Sequence, residues 1–179
     1  MWFSRNEARQ GKARQQASAI GQKARLLLEE FHTANLKIPQ SKAENEVHWV
    51  PPKAPWYKLN ADGATNANIH AAGVGVVIRD STGRVEAALS KNLPTPLGPL
   101  EIKAKALEEG VLFALDVGIC EVILECDSKI VSKAMNGSNV PPKSISNIIE
   151  GIRLKLREFR KVQVSHVKWK SNRRAHLLA

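Results

Sequence analysis

No stretch of about 18 consecutive apolar residues, the length a membrane span needs, occurs in the 179-residue chain, and its first residues hold no apolar signal core. Membrane and secretory roles are therefore unsupported, and an intracellular, soluble monomer, nuclear or cytoplasmic, is expected. Cysteine is scarce. Cys120 and Cys126 lie six residues apart and neither forms a C-x-x-C pair beside a histidine, so the usual sequence pattern of a zinc site is missing and two core thiols are expected. Acid is nearly absent from one end: residues 151–179 carry nine Lys or Arg against one Asp or Glu, whereas residues 1–48 carry eight and five, and residues 49–150 ten and eleven.

The formal charge of +10 is thus gathered at Arg153, Lys155, Arg157, Arg160, Lys161, Lys168, Lys170, Arg173 and Arg174. Such a cluster is the electrostatic footprint of a protein that meets a polyanion, and nucleic acid is the expected partner. The alternative is a solvated helix face, since Arg153, Arg157 and Lys161 recur at i, i+4 spacing. With 43% apolar residues the chain has the means to build one core of ordinary size plus an extension. Residues 1–48 form the extension: helix formers with a weak apolar stripe at Ile20, Ala24, Leu27, Leu28 and Phe31, then a linker rich in proline that runs on to Pro55. Residues 49–179 hold the strands and strong helices.

The order of elements is legible. Strands are expected at 56–62, 73–78 and 85–89, pairing as an antiparallel meander. A helix opens at Gly98-Pro99 and ends at Gly118; a buried strand follows at 122–126, then a short helix at 128–135 stopped by Asn136-Gly137. Ile145, Ile148, Ile149, Ile152, Leu156 and Phe159 share one face of a helix over 145–159. A strand at 162–167 and a helix from Asn172 complete the order. Asp62, in KLNADGATN, and Asp127, in VILECDSK, then stand at two strand ends. Two such acids in an α/β chain converge on an oxygen-rich spot suited to Mg²⁺, or else each is a turn or helix-capping aspartate.

NADGATN at 60–66, GVGVVIRDSTG at 73–83, LEIKAKALEEG at 100–110, VILECDSK at 122–129 and FRKVQVSHVKWKSNRRAHLLA at 159–179 together resemble the type 1 ribonuclease H-like domain. The resemblance is closer still to the reverse-transcriptase-like branch in plant proteins of retrotransposon origin, and it covers about residues 55–179. It implies an α/β ribonuclease H-like fold: a five-stranded mixed sheet, three antiparallel strands then two parallel, flanked by helices. It implies cleavage of the RNA strand of RNA–DNA hybrids by two Mg²⁺ (or Mn²⁺) ions held by four carboxylates, one ion activating water and the other stabilising the leaving oxygen. A zinc-binding or reverse transcriptase region often precedes such a domain, and WFSRNEARQG resembles its trailing edge.

Carried onto this chain, the first and third family acids fall on Asp62 and Asp127, the metal ligands. The second falls on Lys103 and the fourth on His176, both replaced. Lys103 borders the buried stripe between Leu100 and Leu107, while Glu101 lies about 200° away around the helix and is no substitute. Two carboxylates are lost and an ammonium is added, which repels a divalent cation, and Mg²⁺ prefers oxygen to imidazole. Histidine at 176 is the milder change, because the plant relatives often carry it. Glu125 shares a strand face with Asp127, to lend a carboxylate or to face outward at a sheet edge. Asn66 and Asn172 match positions that line the family's nucleic-acid groove, with Lys168, Lys170, Arg173 and Arg174 beside them. Ser165 and His166 match the last strand, His166 as a structural residue or one near the phosphate; Trp169 either stacks on a sugar or base or closes the core edge. The expected function is binding of RNA–DNA hybrid or duplex RNA, with hydrolysis and Mg²⁺ (or Mn²⁺) binding weakened or lost. A working ribonuclease and an inert retrotransposon remnant are the alternatives.

Overall fold

Trp56 to Asp62 followed by glycine reads as a strand that gives out in a turn, yet in the computed structural model β1 runs Tyr57–Asn66. Asp62 therefore lies inside the strand, opposite Gly75, and pairing with the next strand continues to Asn66↔Ala71. The physical reason is Gly63. A β-carbon there would sit 2.5 Å from the main-chain oxygen of Ile102, so the glycine permits close approach of a helix rather than a turn. The structure describes residues 49–66, 71–95 and 97–179, all within the unit Glu46–Ala179. The expected extension 1–48 lies outside them.

β2 (Ala71–Arg79) and β3 (Val85–Leu93) complete the antiparallel meander, both longer than expected because their pairing continues to Ala72↔Leu93. Asp80 shapes the turn between them: its Oδ1 accepts from Thr82 N–H, Thr82 Oγ1 and Arg84 N–H. α1 (Pro99–Asp116) follows, then β4 (Glu121–Cys126), α2 (Lys129–Met135), α3 (Lys143–Lys155), β5 (Lys161–His166) and α4 (Trp169–Leu178). The sheet order is β3-β2-β1-β4-β5, with β1–β4 and β4–β5 parallel.

Helix ends follow their capping residues. Glu101 reaches back to accept from Gly98 N–H at 2.6 Å, so it belongs to the cap of α1 rather than to any cluster of acids. Gly118, at φ +81, closes α1, with Ile119 N–H donating to Ala114 O. Ser128 caps α2, and Gly137, at φ +71, follows its end. α3 ends earlier than its apolar spacing suggests: Leu156–Glu158 tighten into a 3-10 turn and Phe159, though buried, is extended. α4 begins three residues early, because extended Lys168 starts the helix at Trp169.

The alternation along β1 assigns its two faces. Leu59, Ala61 and Gly63 point to α1, which packs across β1 and β2 with α2 and α3 against it. Lys58, Asn60 and Asp62 point to the other face, partly covered by α4. The apolar side joins Leu59, Val76 and Ile78 to Ile102, Leu107 and Val111 of α1 and Ile145, Ile149 and Ile152 of α3. Each such side chain contributes about 1.5–3 kcal/mol when fully buried. Cys126 belongs to this core, but Cys120 is exposed, contrary to expectation, because it falls in the link before β4.

Candidate functional site

Beyond the pair Ala61↔Cys126 the parallel contact of β1 with β4 ends, and the crevice past the end of β4 opens beside Asp62. Ligand sites of α/β sheets form at such crevices. Four side chains from four elements meet there. Asp62 comes from β1 and is 2% exposed; Asp127 follows β4; Lys103 comes from the second turn of α1; His176 comes from α4. Lys103 Nζ donates to Asp62 Oδ1 at 2.8 Å and to Asp127 Oδ1 at 2.6 Å. His176 Nδ1 lies 2.8 Å from Asp62 Oδ2 and, facing a carboxylate, donates; its ring is more than half exposed. Gly63 N–H also donates to Asp62 Oδ1, at 2.9 Å.

The register of α1 expected for Lys103 is therefore the one found. Burial lowers the Lys103 pKa, but hydrogen bonds to Asp127 and Asp62 and their charges raise it more, so the net shift is upward and the ammonium persists at neutral pH. The residues present do not fit a divalent ion. Both oxygens of Asp62 already accept from protein donors, a cation fills the space between the aspartates, and among the described residues no group of three or more His, Cys, Asp or Glu side chains is placed to hold a metal.

α4 is seated by small residues. A β-carbon at Gly75 would collide with the carbonyl of Ala175, which is fully buried. Asn172, expected at a nucleic-acid groove, is instead 1% exposed: its Nδ2 donates to Ala61 O at 2.9 Å, tying α4 to β1 one turn before His176, and its Oδ1 is buried without a partner. Asn66 ends β1, exposed, four residues or about 13 Å beyond Asp62. It lines a cleft of about 430 Å³ with Ala64, Thr65, Gly73, Ser90 and Lys91. His166, at the end of β5, places Nε2 3.2 Å from the main-chain oxygen of Asp127, at the edge of the site. Ser165 precedes it, paired with Glu125.

The basic residues do not form one patch. Arg153 donates to Ala134 O, Lys155 pairs with Glu158, and Arg160 and Lys161 pair with Glu121 at the opposite end of β4. Lys168, Lys170, Arg173 and Arg174 all lie at the start of α4 or along it, on the element that brings His176 to Asp62. Trp169 beside them is 58% exposed, so it does not close the core edge.

Glu125 takes neither of the places expected for it. β4 is an interior strand, and the carboxylate is 3% exposed: Oε2 accepts from Asn60 Nδ2 and Trp49 Nε1, and Oε1 pairs with Lys58 at 2.7 Å. Arg79 joins the same network, donating to Asn60 Oδ1 and stacking 3.3 Å from the centre of the Trp49 ring. Burial, then the nearby Arg174, push the Arg79 guanidinium down to about 10 against the pull of Glu125; it stays charged at neutral pH. Sequence reasoning missed this network. Its signal was the alternation Lys58, Asn60, Asp62 on one face of an otherwise apolar strand.

Residues 60–179 match the family model described as reverse transcriptase-like. The chain belongs to that family. A curated Arabidopsis thaliana protein named for ribonuclease H is 29% identical over 150 residues, which cover 83% of this chain and 24% of that protein. This reverse transcriptase-like chain thus spans about a quarter of the length of the relative it matches. Ribonuclease H1 of Halobacterium salinarum superposes with a TM-score of 0.65 at 25% identity, covering 69% of this chain and 94% of that one. LC11 ribonuclease H1, solved in complex with RNA/DNA hybrid, does so at 0.62 and 22%, covering 68% and 92%. The domain has the ribonuclease H-like fold, with the five-stranded mixed sheet expected from the sequence.

Proposed function

We propose that this domain binds nucleic acid, RNA–DNA hybrid or duplex RNA, with its hydrolytic activity on hybrid weakened or lost. The observation that carries the reading is Lys103 Nζ lodged between Asp62 and Asp127, at 2.8 and 2.6 Å. Ribonuclease H enzymes are generally dependent on divalent metal, and a site filled by an ammonium disfavours the ions that Asp62 and Asp127 would hold. Binding has separate support: Lys168, Lys170, Arg173 and Arg174 and the exposed Trp169 lie on or at the start of α4, the helix that carries His176 to Asp62, and an enzyme of the same fold has been solved with RNA/DNA hybrid. Phosphate contacts from Lys and Arg carry little sequence information, so sequence preference should be weak.

The test is one labelled RNA–DNA hybrid, followed for binding by anisotropy and for cleavage on a gel, with Mg²⁺ and with Mn²⁺. Expected are binding that weakens steeply with salt and negligible cleavage. Cleavage that needs the metal and is abolished by Asp62→Asn would establish the working ribonuclease instead. Absence of binding at low salt, to hybrid and to duplex RNA alike, would leave the inert remnant.

A further inference from the structure

We infer that the Lys103 ammonium is a built-in cation, standing where a divalent ion would bridge Asp62 and Asp127, so that this site meets a nucleic-acid phosphate without Mg²⁺ or Mn²⁺. The inference deepens the functional reading above and rests on it for the identity of the ligand; the placement of the cation stands on geometry alone. Lys103 Nζ binds one oxygen of each aspartate, and its chain rises from α1, the helix held close to β1 through Gly63 and Ile102. The side chain is 30% exposed, so it is not sealed inside the core. An ammonium has three N–H donors; two are committed to the aspartates and the third is free for a phosphate oxygen.

The charge arithmetic points the same way. Two aspartates alone repel a phosphate, and they are buried or nearly so, at 2% and 14% side-chain exposure. The ammonium cancels one of these charges at contact distance, which lowers the repulsion a phosphate would meet there. A divalent ion entering this arrangement would first have to displace a lysine held by two charge-assisted bonds, then sit beside it. The site that loses its metal therefore keeps a positive charge at its centre.

Thermal unfolding in millimolar Mg²⁺ or Mn²⁺, against KCl of equal ionic strength, tests the placement. The unaltered chain should show no divalent-specific change, and calorimetric titration with Mn²⁺ should give no binding heat. Lys103→Gln, which leaves the aspartates without their cation, should unfold at a lower temperature and regain roughly 4 °C when the divalent ion is about ten times its dissociation constant. A divalent-specific stabilisation of the unaltered chain overturns the inference, as does a folded Lys103→Gln indifferent to metal. Should Lys103→Gln not fold, the unaltered chain and Lys103→Arg decide it: both must be indifferent. The hybrid isotherm supplies the second arm, with equal affinity expected in EDTA and in Mg²⁺ at matched ionic strength. Affinity that requires Mg²⁺ overturns the inference. Absence of binding in both buffers sinks the functional reading and the phosphate half of this one, while the unfolding data still decide where the cation sits.

Discussion

On one face of β1, Leu59, Ala61 and Gly63 lie against α1; on the other, Asn60 and Asp62 are buried and Lys58 half-buried, each bonded to a named partner. The two faces are held by different physics. The apolar face gains from area removed from water and carries no charge to be screened or titrated. The polar face gains only where every group is paired, because a buried charge or amide without a partner costs more than its bond returns. The polar face carries the candidate site, and Asp62 stands where β4 stops and a residue of the apolar-side helix, Lys103, reaches across to it.

If the apolar face holds the fold, Leu59→Ala should be the most costly single change, about 2–5 kcal/mol, read from denaturant unfolding. Glu125→Gln keeps the shape of the polar network and an acceptor for Asn60 but removes the charge opposite Lys58, and should cost less, about 1–3 kcal/mol. Equal costs would show that the buried network holds the fold as firmly as the core, and the contrast between the faces would fail.

A smaller effect separates the faces by pH. The folded state favours the charged form of Lys103, so its stabilisation is complete below the unfolded lysine value, near 10.4, and disappears as pH rises through the higher folded value. The gap in melting temperature between the unaltered chain and Lys103→Met should stay level from neutral pH to about 9 and close above about 10.5. The deficit of Leu59→Ala should show no such closing. A gap for Lys103 that narrows already between neutrality and pH 9 would mean that the ammonium is not held by both aspartates.

How far the sequence revealed this arrangement depended on what kind of signal each element left. Element order was readable because apolar periodicity and the breakers Gly118 and Asn136-Gly137 are local, and these stops act where they stand. The meeting of Asp62 with Asp127 was suggested by their strand ends, but adding Lys103 and His176 took the family resemblance, since those two come from separate helices. Asp62-Gly63 misled because glycine serves turns and close packing alike, and only Ile102, 39 residues further on, decides between them. Asn172 misled because the same amide reads as a ligand contact or a tether. The Trp49, Arg79, Asn60 and Glu125 network left only a weak trace, because each member looks like an ordinary surface residue until the register pairs Asn60 with Glu125.

The tether gives a finer test. Asn172→Ala removes one buried bond to Ala61 but also removes the unpartnered Oδ1, so its cost should be modest, about 1 kcal/mol. The larger consequence should fall on α4: hybrid affinity should weaken, because His176 and the basic residues lose their fixed seat, while the cooperativity of unfolding stays intact. Unchanged affinity would mean that Gly75 and Ala175 suffice to hold the helix in place.

The smallest expected effect distinguishes the two thiols. Cys126 is buried at the end of β4, its Sγ 3.1 Å from Ser132 Oγ, and burial raises its pKa, so it stays a protonated, slow thiol. Cys120 is exposed in the link before that strand. Iodoacetamide at neutral pH should therefore modify Cys120 alone, as read by mass spectrometry, with no measurable change in melting temperature. Cys126 should react only as the chain unfolds, so its rate reports opening of the apolar face beside the site. Equal rates for both thiols under native conditions would mean that the end of β4 opens far more readily than its pairing with β1 and β5 implies, and the crevice beside Asp62 would then be a mobile edge rather than a fixed seat for Lys103.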